Sequence, residues 1–249
     1  MPAVANPDLD ALRAQVRAIE SSGSADSRGW LAFGVPAMDE RLAGGGLACG
    51  SLHEIAGSSA SLNDDAAATL FVAGIAARLD GPVLWVLGRQ DLFAPALSQA
   101  GLSPARLIYA ECRKDEDALA VAEEGVRHKG IVAVVAEVGR LAMTASRRLQ
   151  LAAEDSGTTA LLLRRWRSAA DPLLGPSAAA TRWRIGSLPS EPLPVSGIGR
   201  PRWAIELVRQ RGGPPNHWIM EGTDEAGRLA YPARAQHRTA APDRVLAAA

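Results

Sequence analysis

Between residues 52 and 166 the chain alternates short apolar runs with longer stretches of mixed polarity. The runs LHEIAG (52–57), GPVLWVL (81–87), RLIYAEC (106–112), GIVAVVAEV (130–138) and TTALLLRRW (158–166) are rich in Val, Leu and Ile. Continuous apolar runs of this length mark strands covered on both faces. Between them, residues 65–79, FAPALSQAG (93–101), 115–128 and TASRRLQLAAEDSG (144–157) read as helices, the last stopped by Gly157. Such alternation predicts right-handed crossovers and an α/β fold, a mainly parallel twisted sheet flanked by helices. The pattern then changes. SAADPLLGPSAAA (168–180) is a low-complexity loop. TRWRIGSLPS (181–190) and RPRWAIELVRQR (200–211) read as strands of a small antiparallel C-terminal extension, and NHWIMEGTDEAGRLAYP (216–232) as a closing hairpin.

The two ends differ from this core. Residues 7–21 place Leu9, Leu12, Val16 and Ile19 at helical spacing, and SGSADSRG (22–29) reads as a linker. That helix either docks on a neighbouring molecule or packs on its own domain. Residues 233–249 read as a disordered tail. The expected organisation is an N-terminal helix and linker (1–29), a core (30–232) and the tail. No apolar run reaches the length of a membrane span and the first residues lack a signal-peptide core, so a cytoplasmic protein is expected. Cys49 and Cys112 match no zinc spacing, and His53, His128, His217 and His237 are scattered. No metal, cofactor or nucleophile motif is therefore expected.

One stretch does suggest chemistry. In SLHEIAGSSASLNDDAAATLF (51–71) a strand ends in Gly57, a polar loop follows, and an alanine-rich helix begins. A phosphate-binding loop has this layout, but it also needs a second glycine, a lysine for the β/γ phosphates and a hydroxyl for Mg²⁺. Counting from Gly57, those positions hold Leu62, Asn63 and Asp64. Asp64 and Asp65 put two negative charges where the helix dipole would otherwise hold an anion. The expectation is a nucleotide loop that no longer works.

The formal net charge is zero, but it is unevenly spread. Residues 1–137 carry 18 acids and 11 bases, a balance of −7, whereas residues 138–212 carry 12 arginines, no lysine and 5 acids, a balance of +7. This asymmetry marks either a face for nucleic acid or an acidic partner, or an ordinary solvated surface. The arginines cluster as Arg147/Arg148, Arg164/Arg165/Arg167, Arg182/Arg184 and Arg209/Arg211. These are the candidates for contact with DNA or a partner protein. Residues spaced i, i+2 on a strand share a face, so Arg182/Arg184 and Arg209/Arg211 would each form a cationic ledge. Trp166, Trp183 and Trp203 stand beside them, either as stacking platforms or as core residues.

The stretches FGVPAMDERLAGGGLACGSLHEIAG, RQDLFAPALSQAGL, EVGRLAMTASRRLQLAAEDSGTTALLLRRWR, SAAATRWRIGSLPS and PRWAIELVRQRGG resemble the ImuA family, RecA-related proteins of bacterial damage-inducible mutagenesis. The likeness spans roughly residues 30–232. It implies a RecA-like core. It places Arg89 where that superfamily has its catalytic glutamate, leaves Glu137 as the candidate Mg²⁺ ligand, and puts Arg164 or Arg165 at the γ-phosphate sensor. Arg209 and Arg211 match cations that reach a neighbour's nucleotide. Residues 139–148 and 165–182 match the DNA-contacting loops. The implied function is a non-catalytic accessory factor of SOS-induced error-prone translesion synthesis. Its implied partners are an ImuB-like inactive Y-family polymerase, an error-prone C-family polymerase, RecA and single-stranded DNA, with self-association. Two other readings are a DNA-dependent RecA-like ATPase or recombinase paralogue and a SulA-like inhibitor of cell division.

Overall fold

The computed structural model describes residues 29–192, 197 and 199–232; the segment 7–21, the linker through Arg28 and the tail 233–249 lie outside the described residues. A short entry unit comes first. Strand β1 (Trp30–Leu31) pairs antiparallel with β2 (Leu47–Ala48), and α1 (Pro36–Asp39) lies between them. Asp39 closes this unit, its carboxylate accepting the backbone N–H groups of Phe33 at 2.7 Å, Gly34 at 2.9 Å and Val35 at 3.1 Å.

The strands and helices of the core follow in alternation: β3 (Leu52–Gly57), α2 (Leu62–Ala77), β4 (Val83–Leu87), α3 (Ala94–Gln99), β5 (Leu107–Glu111), α4 (Asp115–Arg127), β6 (Ala133–Val138), α5 (Met143–Ser156) and β7 (Thr159–Arg164). Each apolar run of the sequence is a strand, and β3, β4, β6 and β7 are buried along their whole length. Gly157 ends α5 as expected, with φ +81°, a conformation that glycine adopts without steric cost. Helix α2 starts at Leu62, earlier than the pattern suggested, because Ser61 caps it by accepting the Asp64 N–H.

β8 (Thr181–Leu188), β9 (Arg202–Gln210) and β10 (Asn216–Glu221) complete an eight-stranded sheet in the order β10-β9-β8-β3-β7-β6-β4-β5. β8 joins the two parts of the sheet: it runs parallel to β3, with His53 opposite Thr181 and Gly57 opposite Ile185, and antiparallel to β9, so the expected antiparallel extension begins on it. Residues 165–180 carry the chain back along the sheet without helical periodicity, so this crossover is not legible in the local pattern. β9 and β10 continue the extension, β9 antiparallel to β8 and β10 antiparallel to β9.

Helices α1–α3 cover one face of the sheet and α4–α5 the other. α2 is apolar around most of its circumference, as a helix enclosed on several sides must be. Against it pack Phe33, Trp183 and Trp203, with Trp218 beyond, at centroid separations of 5.7–6.5 Å. Trp183 and Trp203 are thus core residues and provide no stacking platform.

Candidate functional site

The loop after β3 is closed by its own side chains. The Ser58 N–H donates to the Ile185 carbonyl at 2.8 Å, and the Trp166 indole N–H to the Gly57 carbonyl at 2.9 Å. Asp64 is buried and holds two elements together. Its carboxylate accepts the Ser59 hydroxyl at 2.6 Å and the backbone N–H of Ser187, on β8, at 2.8 Å. A Cβ at Gly57 would come within 3.0 Å of the Asp64 backbone, so the strand must end in glycine for the loop to fold back this tightly. Asn63 is exposed, and Leu62 is 82% exposed at the first position of α2. Asp64→Ala is expected to destabilise the chain by about 1–3 kcal/mol, the cost of leaving the Ser187 N–H without a partner. Asp64→Asn, which retains an acceptor oxygen, should lose distinctly less. Urea unfolding of the two variants checks this, and equal losses would refute the role given to Asp64.

Beside the loop, at the carboxyl ends of β4, β6 and β7, Arg165 occupies the centre. Its guanidinium lies 3.1 Å from Glu137, donates to the Thr69 hydroxyl at 3.1 Å, and stands 3.6 Å from the Asp65 carboxylate. Glu137 also accepts the Trp85 indole N–H at 3.1 Å. Burial raises the Asp65 pKa, opposed by the charge of Arg165. Arg89 is exposed and pairs with Asp91 at 3.4 Å. A mainly apolar cleft of about 350 Å³ opens between α2 and α3, rimmed by exposed Leu62 and Phe93. A smaller recess of about 190 Å³ is lined by Gly88, Arg89, Glu137, Arg165, Trp166 and Arg167.

Two of the candidate contact arginines, Arg164 of the 164/165/167 cluster and Arg182 of one ledge, are corrected. Arg164 and Arg182 are buried on the opposite face of the sheet, where both pair with Glu54, at 2.7 Å and 3.3 Å. Ser177 donates to the other Glu54 oxygen, Arg164 to the Gly139 carbonyl at 3.0 Å, and Arg182 to the Gly175 carbonyl at 2.9 Å. The adjacent pair Arg164/Arg165 is therefore split between the two faces, because neighbouring strand residues point opposite ways.

The remaining candidates lie nearer the surface. Arg184 pairs with Asp171 and Glu206, Arg167 with Asp115, Arg148 with Glu123 and Arg211 with Glu154. Arg209 is exposed and donates to the Ser177 and Ala179 carbonyls. Arg147 is exposed and takes part in none of these pairs. The charge asymmetry of the sequence is thus largely cancelled by folding: Glu54, Asp65, Asp115, Glu123 and Glu137 of the acidic half each meet an arginine of the basic half. Glu54 and His53 could not be singled out from the sequence, because Arg164, Arg182 and Thr181, which they meet, lie far along the chain.

No family model matches the chain. It is 41% identical over 214 residues to "Protein ImuA" of Caulobacter vibrioides, in strain NA1000 / CB15N and equally in strain ATCC 19089 / CIP 103742 / CB 15. The matched region covers 82% of this chain and 87% of each relative. Among solved structures, the RadB recombinase superposes with a TM-score of 0.52 at 19% identity, covering 81% of this chain and 99% of that one. This identifies the fold as RecA-like and says nothing about activity. SulA from Pseudomonas aeruginosa matches 46% of this chain and 98% of its own at 22% identity, with a TM-score of 0.40, too low to bear on the comparison. With two-fifths of the matched residues identical over more than four-fifths of both sequences, the chain belongs to the ImuA family.

Proposed function

We propose that the protein is a non-catalytic, cytoplasmic accessory factor of SOS-induced error-prone translesion synthesis. In this reading a RecA-like core serves as a contact scaffold, bridging an ImuB-like inactive Y-family polymerase to an error-prone C-family polymerase, near RecA and single-stranded DNA. Family membership supports the setting. One observation carries the non-catalytic part: the polar groups around the former phosphate loop are already bonded to one another. Asp64 is engaged by Ser59 and Ser187, and Glu137 by Trp85 and Arg165.

The fit of Mg·ATP to these residues is poor. No lysine stands in the loop to neutralise phosphate, and truncating one member of a desolvated charge pair costs roughly 2–5 kcal/mol. A metal at Glu137 would have to displace the Arg165 guanidinium, which lies 3.1 Å away. The first turn of α2 adds two carboxylates, Asp64 and Asp65, against any incoming phosphate. No hydrolytic step is therefore assigned.

Calorimetry of the purified chain with Mg·ATP is expected to show no binding up to millimolar nucleotide, alone or with the ImuB-like partner. Pull-down of that partner should survive Asn63→Ala and Asp64→Asn. Micromolar Mg·ATP affinity, or turnover stimulated by single-stranded DNA, would overturn the reading in favour of an ATPase paralogue.

A further inference from the structure

We infer that the outer face of α5, together with the end of β9 beside it, is a docking seam for an acidic segment of a protein partner that also carries an apolar side chain. This rests on the scaffold reading above and gives the scaffold a specific contact surface. The seam runs along α5 to the end of β9, which lies beside the amino-terminal ends of β8 and β3. On α5, Arg147, Arg148 and Leu151 are exposed and spaced i, i+1 and i+4, hence on one side of the helix. Arg209 and Arg211 border it, tied to the 177–179 segment, whose Ser177 hydroxyl lies 3.1 Å from that of Ser146 on α5, and Arg211 reaches Glu154 at 3.4 Å.

Charge selects the occupant. With Arg127, which shares Glu123 with Arg148, the seam has five arginines against three carboxylates, Glu123, Glu154 and Asp155. The pairing that neutralises the rest of the basic half is incomplete here. Among the described residues Arg209 has only backbone carbonyls as partners, and the positive charges of Arg182 and Arg211 add to burial in lowering its pKa. An incoming carboxylate relieves this repulsion.

Two further observations favour a protein over nucleic acid. Leu151 is 59% exposed amid the arginines and offers an apolar anchor that a phosphodiester backbone cannot use. The large exposed aromatics among the described residues, Phe93, Tyr109 and Tyr231, all lie outside α5 and β9, so the seam has no platform for stacking bases. Arginine in place of lysine is the cationic composition enriched at protein interfaces.

The test uses the full chain carrying Arg147→Glu and Leu151→Glu, two exposed positions whose replacement leaves the melting temperature unchanged if the fold is intact. Binding is measured by biolayer interferometry against the purified ImuB-like protein and, separately, against a fluorescent oligo(dT). The expected result is at least a tenfold loss of affinity for the protein, with the wild-type interaction weakening as salt rises, and an unchanged response to oligo(dT). Unaltered affinity for the protein overturns the seam, and a loss confined to oligo(dT) replaces the acidic partner with nucleic acid. A wild-type chain that fails to bind the protein at all overturns the scaffold reading itself.

Discussion

Glu54→Ala is expected to destabilise the protein by about 3–5 kcal/mol, the cost of breaking a buried ion pair from one side. Glu54 is fully buried in β3, and its carboxylate is the shared counter-charge of Arg164 and Arg182. Removing it leaves two guanidinium groups facing each other in the interior. Burial already lowers the Arg164 pKa, and the Glu54 charge is the first influence opposing that shift. Ser177 would also lose its acceptor, loosening the 165–180 segment that returns the chain to β8. Total stabilities of domains are about 5–15 kcal/mol, so a large part of the folded population is at risk. The compensated variant Glu54→Leu with Arg164→Met and Arg182→Met should recover most of the loss, since apolar groups can replace a whole buried ionic cluster at little cost. Urea unfolding of wild type, single and triple variants measures both effects. A single variant within about 1 kcal/mol of wild type would show that water or rearrangement satisfies the arginines.

Acid is expected to weaken the fold through His53. This side chain is fully buried, with Nε2 2.9 Å from the Ala48 carbonyl and Nδ1 2.7 Å from the Thr181 hydroxyl, which itself accepts the Trp183 indole N–H at 2.6 Å. A carbonyl can only accept, so Nε2 carries the proton and Nδ1 accepts the Thr181 O–H. The neutral ring fits this chain of bonds; an imidazolium would remove the acceptor of the Thr181 proton. Burial lowers the His53 pKa to about 4, with the charge of Arg211 contributing in the same direction and the bond to Ala48 opposing. The folded value is thus below the unfolded one of about 6.5, so protons bind preferentially to the unfolded chain between the two. The contribution is complete above pH 6.5 and is lost as the pH falls towards 4, amounting to roughly 3 kcal/mol. His53→Gln should be less stable at neutral pH and should lose less on acidification. If the stability difference between wild type and His53→Gln is the same at pH 7.5 and pH 4.5, His53 is not the titrating group.

These two predictions concern residues that the sequence pattern did not mark. Glu54 and His53 sit inside LHEIAG, a run legible as a buried strand from Leu52, Ile55 and Ala56 alone. Their partners are supplied by Arg164, Arg182 and Thr181, more than a hundred positions further on. The phosphate loop is an intermediate case. That Asn63 and Asp64 stand where a phosphate-binding loop would carry a lysine and a hydroxyl is read directly from the sequence, and so is the pair of charges at the start of α2. That Asp64 accepts the Ser187 N–H depends on β8 lying beside β3, a neighbour relation that the local pattern does not carry.

The sequence by itself determined the element order, the parallel core and the change of loop chemistry, because apolar periodicity, glycine stops and motif spacing act over a few residues. Tertiary structure decided which arginines face solvent. Strand alternation sends Arg164 and Arg165 to opposite faces, and the sheet order brings the acids of the first half against the cations of the second. Charge pairing between distant strands depends on register and neighbour order, and neither is encoded in the local alternation of apolar and polar residues.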